Sequence, residues 1–418
     1  MNFLNLNNKL IQYLFILIPL FLITGPFLPD LTLTIIGLLF IFISYKKNYF
    51  KNISKNYFFV FFFIFCIIII VRSIFSDNIF LSLESSLFYF RFGLFSLAVY
   101  FLISKNEKTL KYLLILFIII YLVLLFDSYY QLIFKKNIIG LMYENTQNFR
   151  ITSFFGDDEV LGSYVVRFFP FLMYLCFALN IKKNNTSYIL ISFIILCSFL
   201  IAIVSGERTA LALLIISSIL FFLSSKFLRK LIIPAVSIII ICLFSVMQFD
   251  TRIKSRFIDQ TYNQIFSNDR LTIFSEIYEG HYKIALNMFL EKPFLGHGTK
   301  IYRHYCSKPE NFVSENACST HPHNILMQFM SETGILGTSF YLIIIFGLSY
   351  FLLKNIYSLY FNQKQCLNDK FLSLVIFYFM NLFPLLPSGN FFSNWLSVIY
   401  FFPAGLYIHE YYLYKKNK

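Results

Sequence analysis

HPHNILMQFMSETGILG, residues 321–337, closes the longest polar stretch of a sequence otherwise built from apolar runs. That stretch begins near Asp250 and reaches His323. It holds five of the six histidines: His281, His297, His304, His321 and His323. A His-Asn pair then leads into a short amphipathic run and a glycine step at Gly334 and Gly337. The chain before this stretch reads as membrane helices in series, and so does most of the chain after it. The expectation is a reaction site on a polar loop at a membrane surface.

Composition supports this. The 418 residues are 58% hydrophobic and only 13% charged, whereas a soluble domain is nearer a quarter charged. Apolar runs rich in Phe and Ile repeatedly approach the length of roughly 20 residues that crosses a bilayer. The net charge of +14 does not point to nucleic acid. Its lysines sit in short connections between apolar runs, as in the cytoplasmic loops of membrane proteins. About twelve runs are legible by length, from Leu10–Phe27 to Trp395–Tyr412. The ninth, Leu231–Phe249, precedes the long loop, and the tenth, Ile335–Leu353, comes after it. The fold class expected is all-α. The chain reads as one polytopic membrane domain over residues 1–418, with a large periplasmic loop at 250–334 that contains short helices and carries the site. The first run lacks a small-residue cleavage site and reads as a retained helix.

Charge gives an orientation. With the N-terminus in the cytoplasm, every connection after an even-numbered run is cytoplasmic and basic, as at Lys46–Lys47 and Lys105–Lys108. The outer turns Gly25–Asp30 and Pro387–Ser393 carry no Lys or Arg. Both termini are then inside, and the loops 127–161 and 250–334 are outside, which in a Gram-negative cell means the periplasm. Cys306 and Cys318 lie in the outer loop. An oxidising compartment lets them pair, but the odd total of seven cysteines leaves free thiols as the alternative. Cys66, Cys176, Cys197 and Cys242 sit in apolar runs as small hydrophobes.

Several side chains are candidates for chemistry. Arg208 stands at the outer mouth of run eight, in SGERT. It reads either as a snorkelling anchor or as a guanidinium fork held for phosphate oxygens. Arg167 lies one turn inside run six, where an arginine needs a cavity or a partner. Arg150, Asp157, Asp158 and Glu159 precede it. The acids read as that partner, as a divalent-ion site, or as a solvated turn. Arg91 is also within a run, and structural pairing is expected for it. In the long loop, TRIKSRFIDQTYNQIF (251–266) has amphipathic spacing and offers Arg252 and Arg256, with Arg270 further on. A helix is expected over about 271–290, ended by Pro293 and Gly296, with His281 on it. His323 sits before a helix start, where a neutral imidazole can take a proton from a hydroxyl; the plainer reading is a capping or surface histidine. Asn324 is the next residue. Glu332, nine residues on, is a candidate orienting carboxylate.

Four segments carry a resemblance. FFGDDEVLGSY (154–164), SGERTALALL (205–214), ALNMFLEKPFLGHG (285–298) and HPHNILMQFMSETGILG (321–337) occur in an order similar to that of the O-antigen ligase and O-antigen polymerase superfamily. That superfamily also includes bacterial protein O-oligosaccharyltransferases. The resemblance implies a glycan donor on undecaprenyl diphosphate and a lipid A–core or growing-glycan acceptor, with no cofactor and no metal. It implies that His323 activates the acceptor hydroxyl and that Arg208 holds the diphosphate. Arg270 matches a loop arginine more loosely, and Thr209 stands where glycine is common. Arg167, Arg150, His281 and Asn324 are further candidates for substrate contact. Transfer onto lipid A–core is the expected reaction, and polymerisation of repeat units is the alternative. A transporter or flippase would spread charges at mid-depth through several spans. Here they gather at one side.

Overall fold

The helices begin where the sequence offers a side-chain acceptor for their unpaired N–H groups. Asn56, Asn78, Asn106, Asn324 and Asn368 each cap a helix through the side-chain oxygen, the arrangement that asparagine favours there. The computed structural model describes residues 3–49, 55–142, 150–179, 185–233, 251–267, 270–271, 274–314 and 316–416, with isolated positions at 237, 245 and 248. Its elements are α1 (Phe3–Phe21), α2 (Phe27–Lys47), α3 (Tyr57–Ile74), α4 (Ile79–Ser86), α5 (Phe90–Ala98), α6 (Glu107–Phe134), α7 (Leu161–Ala178), α8 (Asn185–Ser205) and α9 (Arg208–Ser224). After the long loop's short turns come α10 (Glu276–Glu291), α11 (Tyr302–Cys306), α12 (Ile325–Phe361), α13 (Asp369–Asn381), α14 (Asn394–Phe401) and α15 (Ala404–Lys416). A two-residue antiparallel pair joins Phe266–Ser267 to Arg270–Leu271.

The architecture is all-α and polytopic. Among the described residues, eight helical segments are long and apolar enough to cross a membrane, and α9 is a shorter apolar helix. Most of run nine lies outside the described residues. The last runs differ from expectation. α13 is 13 residues long. The run expected at 395–412 is two helices, parted at Phe402–Pro403, because proline has no N–H to give and its ring clashes with the preceding turn. Run five also extends beyond Asp127, to Phe134. Asp127 and Gln131 turn inward rather than ending it. The Asp127 carboxylate accepts from Ile138 N at 2.9 Å and Ser153 Oγ at 2.5 Å. Gln131 Oε1 accepts from Ser153 N at 2.8 Å. The loop thus folds back onto the helix end.

α7 is the axis of the bundle. It is 89% buried, against 33% for α3. α13, α8, α9 and α6 pack around it. Elsewhere polar staples hold helices in register. Arg91 on α5 pairs with Asp30 on α2 at 2.9 Å, and Asn394 at the start of α14 bonds both. The structural pairing expected for Arg91 is therefore present.

α12 is 37 residues long but broken at Gly334, where φ is 60° and ψ −163°. The residues before the break form a short helix, 325–333, and those after it form the long span. The turn PFLGHG (293–298) lies against this break. His297 N and Gly298 N donate to Ser331 O and Glu332 O, and Ile335 N and Leu336 N donate to Pro293 O and Phe294 O. A Cβ on Gly334 would lie 2.5 Å from Gly296 N, and one on Gly296 would lie 2.5 Å from Thr333 N. Only two glycines allow backbones this close. Arg72 on α3 donates to Gly296 O at 2.7 Å, which ties the turn to the bundle.

Candidate functional site

Each part of the site is placed by a different element. Glu207 comes just before α9. Its carboxylate accepts from Gly162 N at 2.6 Å and Ser163 N at 3.1 Å, so it caps α7. Burial pushes its pKa up to about 7. With Glu207 facing that way, Arg208 projects from the first turn of α9 towards the loop and donates to Thr261 Oγ1 at 3.2 Å. The loop's first turn is anchored beside it by Arg256, which donates to Gly206 O at 3.1 Å. Arg150 pairs with Glu159 at 3.2 Å and lies close enough to Arg208 to repel it. Tyr278 on α10 is also within electrostatic reach of Arg208, and its ring lies 5.9 Å from that of His323. The structure therefore gathers Arg150, Arg208, Tyr278 and His323 on one side of the bundle.

His323 sits just outside the helix that Asn324 caps. Asn324 Oδ1 accepts from Met327 N at 3.1 Å, and its amide donates to Pro384 O at 2.7 Å. His323 itself has φ 52°, an uncommon left-handed backbone for a residue with a side chain. Its carbonyl accepts from Ser388 N at 2.9 Å. His321 is held on both ring nitrogens, by Thr320 Oγ1 at 2.9 Å and the Ser388 carbonyl at 3.2 Å. His281 on α10 contacts the Ala317 carbonyl through Nδ1 at 2.6 Å. Among the described residues, no hydrogen bond occupies either ring nitrogen of His323. Burial first, and then the neighbouring His281, bring His323 down to about 4. Burial and His323 bring His321 down to about 3. Both imidazoles are neutral over the ordinary pH range.

Three expectations are revised. Glu332 does not orient His323. It is fully buried, accepts from Gln328 Nε2 at 3.0 Å and Tyr302 N at 3.4 Å, and so holds the 300–302 backbone. The acids at 157–159 do not hold Arg167. Its guanidinium meets Ser163 Oγ at 3.1 Å and Asn381 Oδ1 at 3.0 Å, and the Asn381 amide returns a bond to Arg167 O. α10 starts after Ser275 rather than near Leu271, and its buried stripe is His281, Ile284, Ala285 and Met288. The side chains of Arg252 and Arg270 lie outside the described residues.

Cys306 and Cys318 form a disulfide with Cα atoms 5.3 Å apart. It joins α11 to the strand of chain that continues through Thr320 to His323. Sequence reading missed Arg303, also on α11, whose charge acts on His321 and Glu332. It missed as well the uncharged turn 384–391, which closes over the histidines through Pro384, Ser388 and Asn390. Below that turn an aromatic cavity of about 560 Å³ runs between α3, α5, α12 and α15. Phe65, Phe329 and Phe391 wall it near the histidine turn, and Lys415 lies at its far end. Among the described residues, no three His, Cys, Asp or Glu side chains converge as a metal site.

Residues 193–342 match the model of a family described as O-antigen ligase. This match supports assigning the chain to the O-antigen ligase superfamily. Arg208, His281, His321 and His323 all fall inside the matched segment, whereas Arg150 and Arg167 fall outside it. Membership links the chain to glycan transfer at a membrane. No curated protein matches the chain.

Proposed function

We propose that this member of the superfamily is a glycosyltransferase of the O-antigen ligase type. It moves a glycan from undecaprenyl diphosphate to a hydroxyl of a lipid A–core acceptor, on the periplasmic face of the inner membrane. About twelve spans with both termini cytoplasmic complete this reading, from the alternation of basic connections. The observation that carries it is His323: a neutral imidazole whose ring nitrogens are unengaged among the described residues, at a helix start, beside the Tyr278–Arg208–Arg150 group. The aromatic cavity under the histidine turn supports a substrate with a long apolar chain.

The chemistry asked of the protein is modest, because a diphosphate is already a good leaving group. His323 takes the acceptor proton. Arg208 and Arg150 offset the charge that grows on the departing diphosphate, the type of preorganised stabilisation that weighs most in such sites. A guanidinium suits this better than an ammonium, since it offers paired donors in one plane. Asn324 acts through the backbone, holding the turn on which His323 rides.

Purified protein with an undecaprenyl-diphosphate-linked glycan and a lipid A–core acceptor tests the proposal. Transfer is expected for the wild type and lost in His323→Ala. A deletion strain separates the two reactions of the superfamily. Loss of every modal length from lipid A–core, with lipid-linked polymer accumulating, identifies a ligase. A single-repeat band on the core identifies a polymerase and overturns the proposal.

A further inference from the structure

Three imidazoles stack in the order His281, His323, His321, with ring centroids 5.0 and 4.1 Å apart. The outer two have fixed tautomers. A carbonyl can only accept, so His321 carries its proton on Nε2 towards Ser388 O, and its Nδ1 accepts from the Thr320 hydroxyl. His281 likewise carries its proton on Nδ1 towards Ala317 O. The central ring has no such tie among the described residues. Tyr278 faces the stack from α10, with Tyr282 beside it. Tyr302 and Arg303 approach from α11. Arg208, with Arg150 behind it, faces Tyr278 from α9. α10 also carries Lys283, with Glu276 and Glu279 in its first turn. Glu207 is turned to α7, Glu332 to Tyr302 N, and Glu159 to Arg150.

A proton on the central ring would therefore sit half out of water, beside a second imidazole. Such a ring is a poor base, since efficient proton transfer needs a basicity matched to the working pH. A diphosphate at Arg208 would bring negative charge towards that ring, across Tyr278. We infer that the anionic donor switches His323 on: bound at the arginines, it brings opposite charge near the central ring and lets that ring accept the proton of the acceptor hydroxyl. His281 is the positioning residue of this device. It is 3% exposed and shields one face of His323 from water, as His321 shields the other.

This inference rests on the proposed function, and its steps balance. The acceptor O–H breaks and its proton joins a nitrogen of His323. The oxygen's electron pair forms the new bond to the sugar. The bond from sugar to diphosphate breaks, and its electron pair leaves on the diphosphate oxygen. The ring returns its proton to solvent after the product departs. Activation of the acceptor before the donor is in place is thereby suppressed. By linkage, a donor that raises the ring's basicity must itself bind more tightly when the ring is protonated.

Histidine C2 hydrogen–deuterium exchange, read by fragment-ion mass spectrometry on the peptide holding His321 and His323, tests this on the full chain in detergent. Undecaprenyl diphosphate is the probe. Without it, the His323 exchange midpoint is expected near pH 4. With saturating probe it should rise by about one pH unit or more, the scale of a nearby opposite charge. His281→Ala should raise the midpoint without probe, because water reaches the ring. His281→Phe should raise it less than His281→Ala, since only the repulsion from the second imidazole is lost; the wall is kept and Ala317 O still accepts from the Tyr302 hydroxyl at 3.0 Å. A midpoint unmoved by bound probe overturns the switch. A midpoint unmoved by His281→Ala overturns the role of His281, and if that variant does not fold, the wild-type arm alone decides. No turnover is needed. The inference therefore fails separately from the proposed function, which stands or falls on transfer by His323→Ala.

Discussion

Gly334→Ala is the sharpest structural test of how the histidine turn is held. At φ 60° and ψ −163° the backbone is in a region open essentially to glycine, and occupying it with another residue costs of order 1–3 kcal/mol. Space is the second cost. The new Cβ would stand 2.5 Å from Gly296 N, 2.6 Å from Leu295 N and 2.6 Å from Phe294 C. All three are backbone atoms, so no side chain can swing away. Relief requires the 293–298 turn to separate from 331–336, which breaks the bonds His297–Ser331, Gly298–Glu332, Ile335–Pro293 and Leu336–Phe294. At about 1 kcal/mol each, these bring the expected loss to roughly 5 kcal/mol, a large share of the 5–15 typical of a folded protein. Thermal unfolding of the detergent-solubilised protein and proteolysis around residues 292–300 read it. Gly347→Ala is the control, because a Cβ there meets nothing within 4 Å. If Gly334→Ala melts within about 1 °C of the wild type, the docking of this turn does not hold the site, and the reasoning is wrong.

The remaining predictions concern chemistry and placement. His323→Ala should fold normally and lose about 10²-fold or more in transfer, the usual range for a positioned base; His321→Ala should cost far less, and His323→Gln should not rescue, since an amide cannot take the proton. A base works only when deprotonated, so transfer falls as pH drops through its pKa. For the free enzyme, kcat/KM should hold well below pH 6 and fall towards about 4, while kcat, which reports the donor-bound state, should fall at higher pH; coincident midpoints near 6.5 would mean an exposed imidazole. Arg208→Lys keeps the charge but loses the paired donors, so near-normal turnover of the lipid-linked donor at equal protein level would remove Arg208 from the site. Cys306→Ser or a reductant should lower thermal stability by about 3 kcal/mol, as expected for closing a loop of this order, and should lower transfer by loosening the path to His323; unchanged transfer under full reduction refutes that link. Reporter fusions after Lys230 and Lys415 should read cytoplasm and one after Lys300 the opposite side, and a cytoplasmic signal at Lys300 would sink the proposed orientation.

The all-α, polytopic character was legible because hydropathy is a local, additive property, and the early helices lie where the apolar runs do. The start of α12 was legible too, since Asn324 is a cap and Pro322 precedes the turn. What sequence did not reveal were pairings between distant neutral groups. Arg167 looked for an acid and found Asn381, an amide 214 residues away at the uncharged end of its helix. Glu332 lies on the same short helix that His323 precedes, yet spacing does not say which face turns inward, and its face turned to the 300–302 backbone. The turn around Ser388 reads as an ordinary uncharged connection. Its work is done by main-chain groups, which carry no sequence signature.

The enclosure of α7 bears on how the chain is made. A helix that touches its neighbours on nearly every side gains little from lipid, and its mean hydropathy of 1.5 against 2.7 for α3 reflects that. It also carries Arg167, nearer its outer end, and Pro170, and an intramembrane arginine opposes insertion by up to about 2.5–3.5 kcal/mol. The amide that receives this guanidinium, Asn381, emerges from the ribosome some two hundred residues later. During that interval α7 leans on α6 and α8 to stay in the bilayer. Chains stopped before Asp369 should therefore release α7 from the membrane more readily than any other early span, and α13 acts as the keystone that fixes it in place.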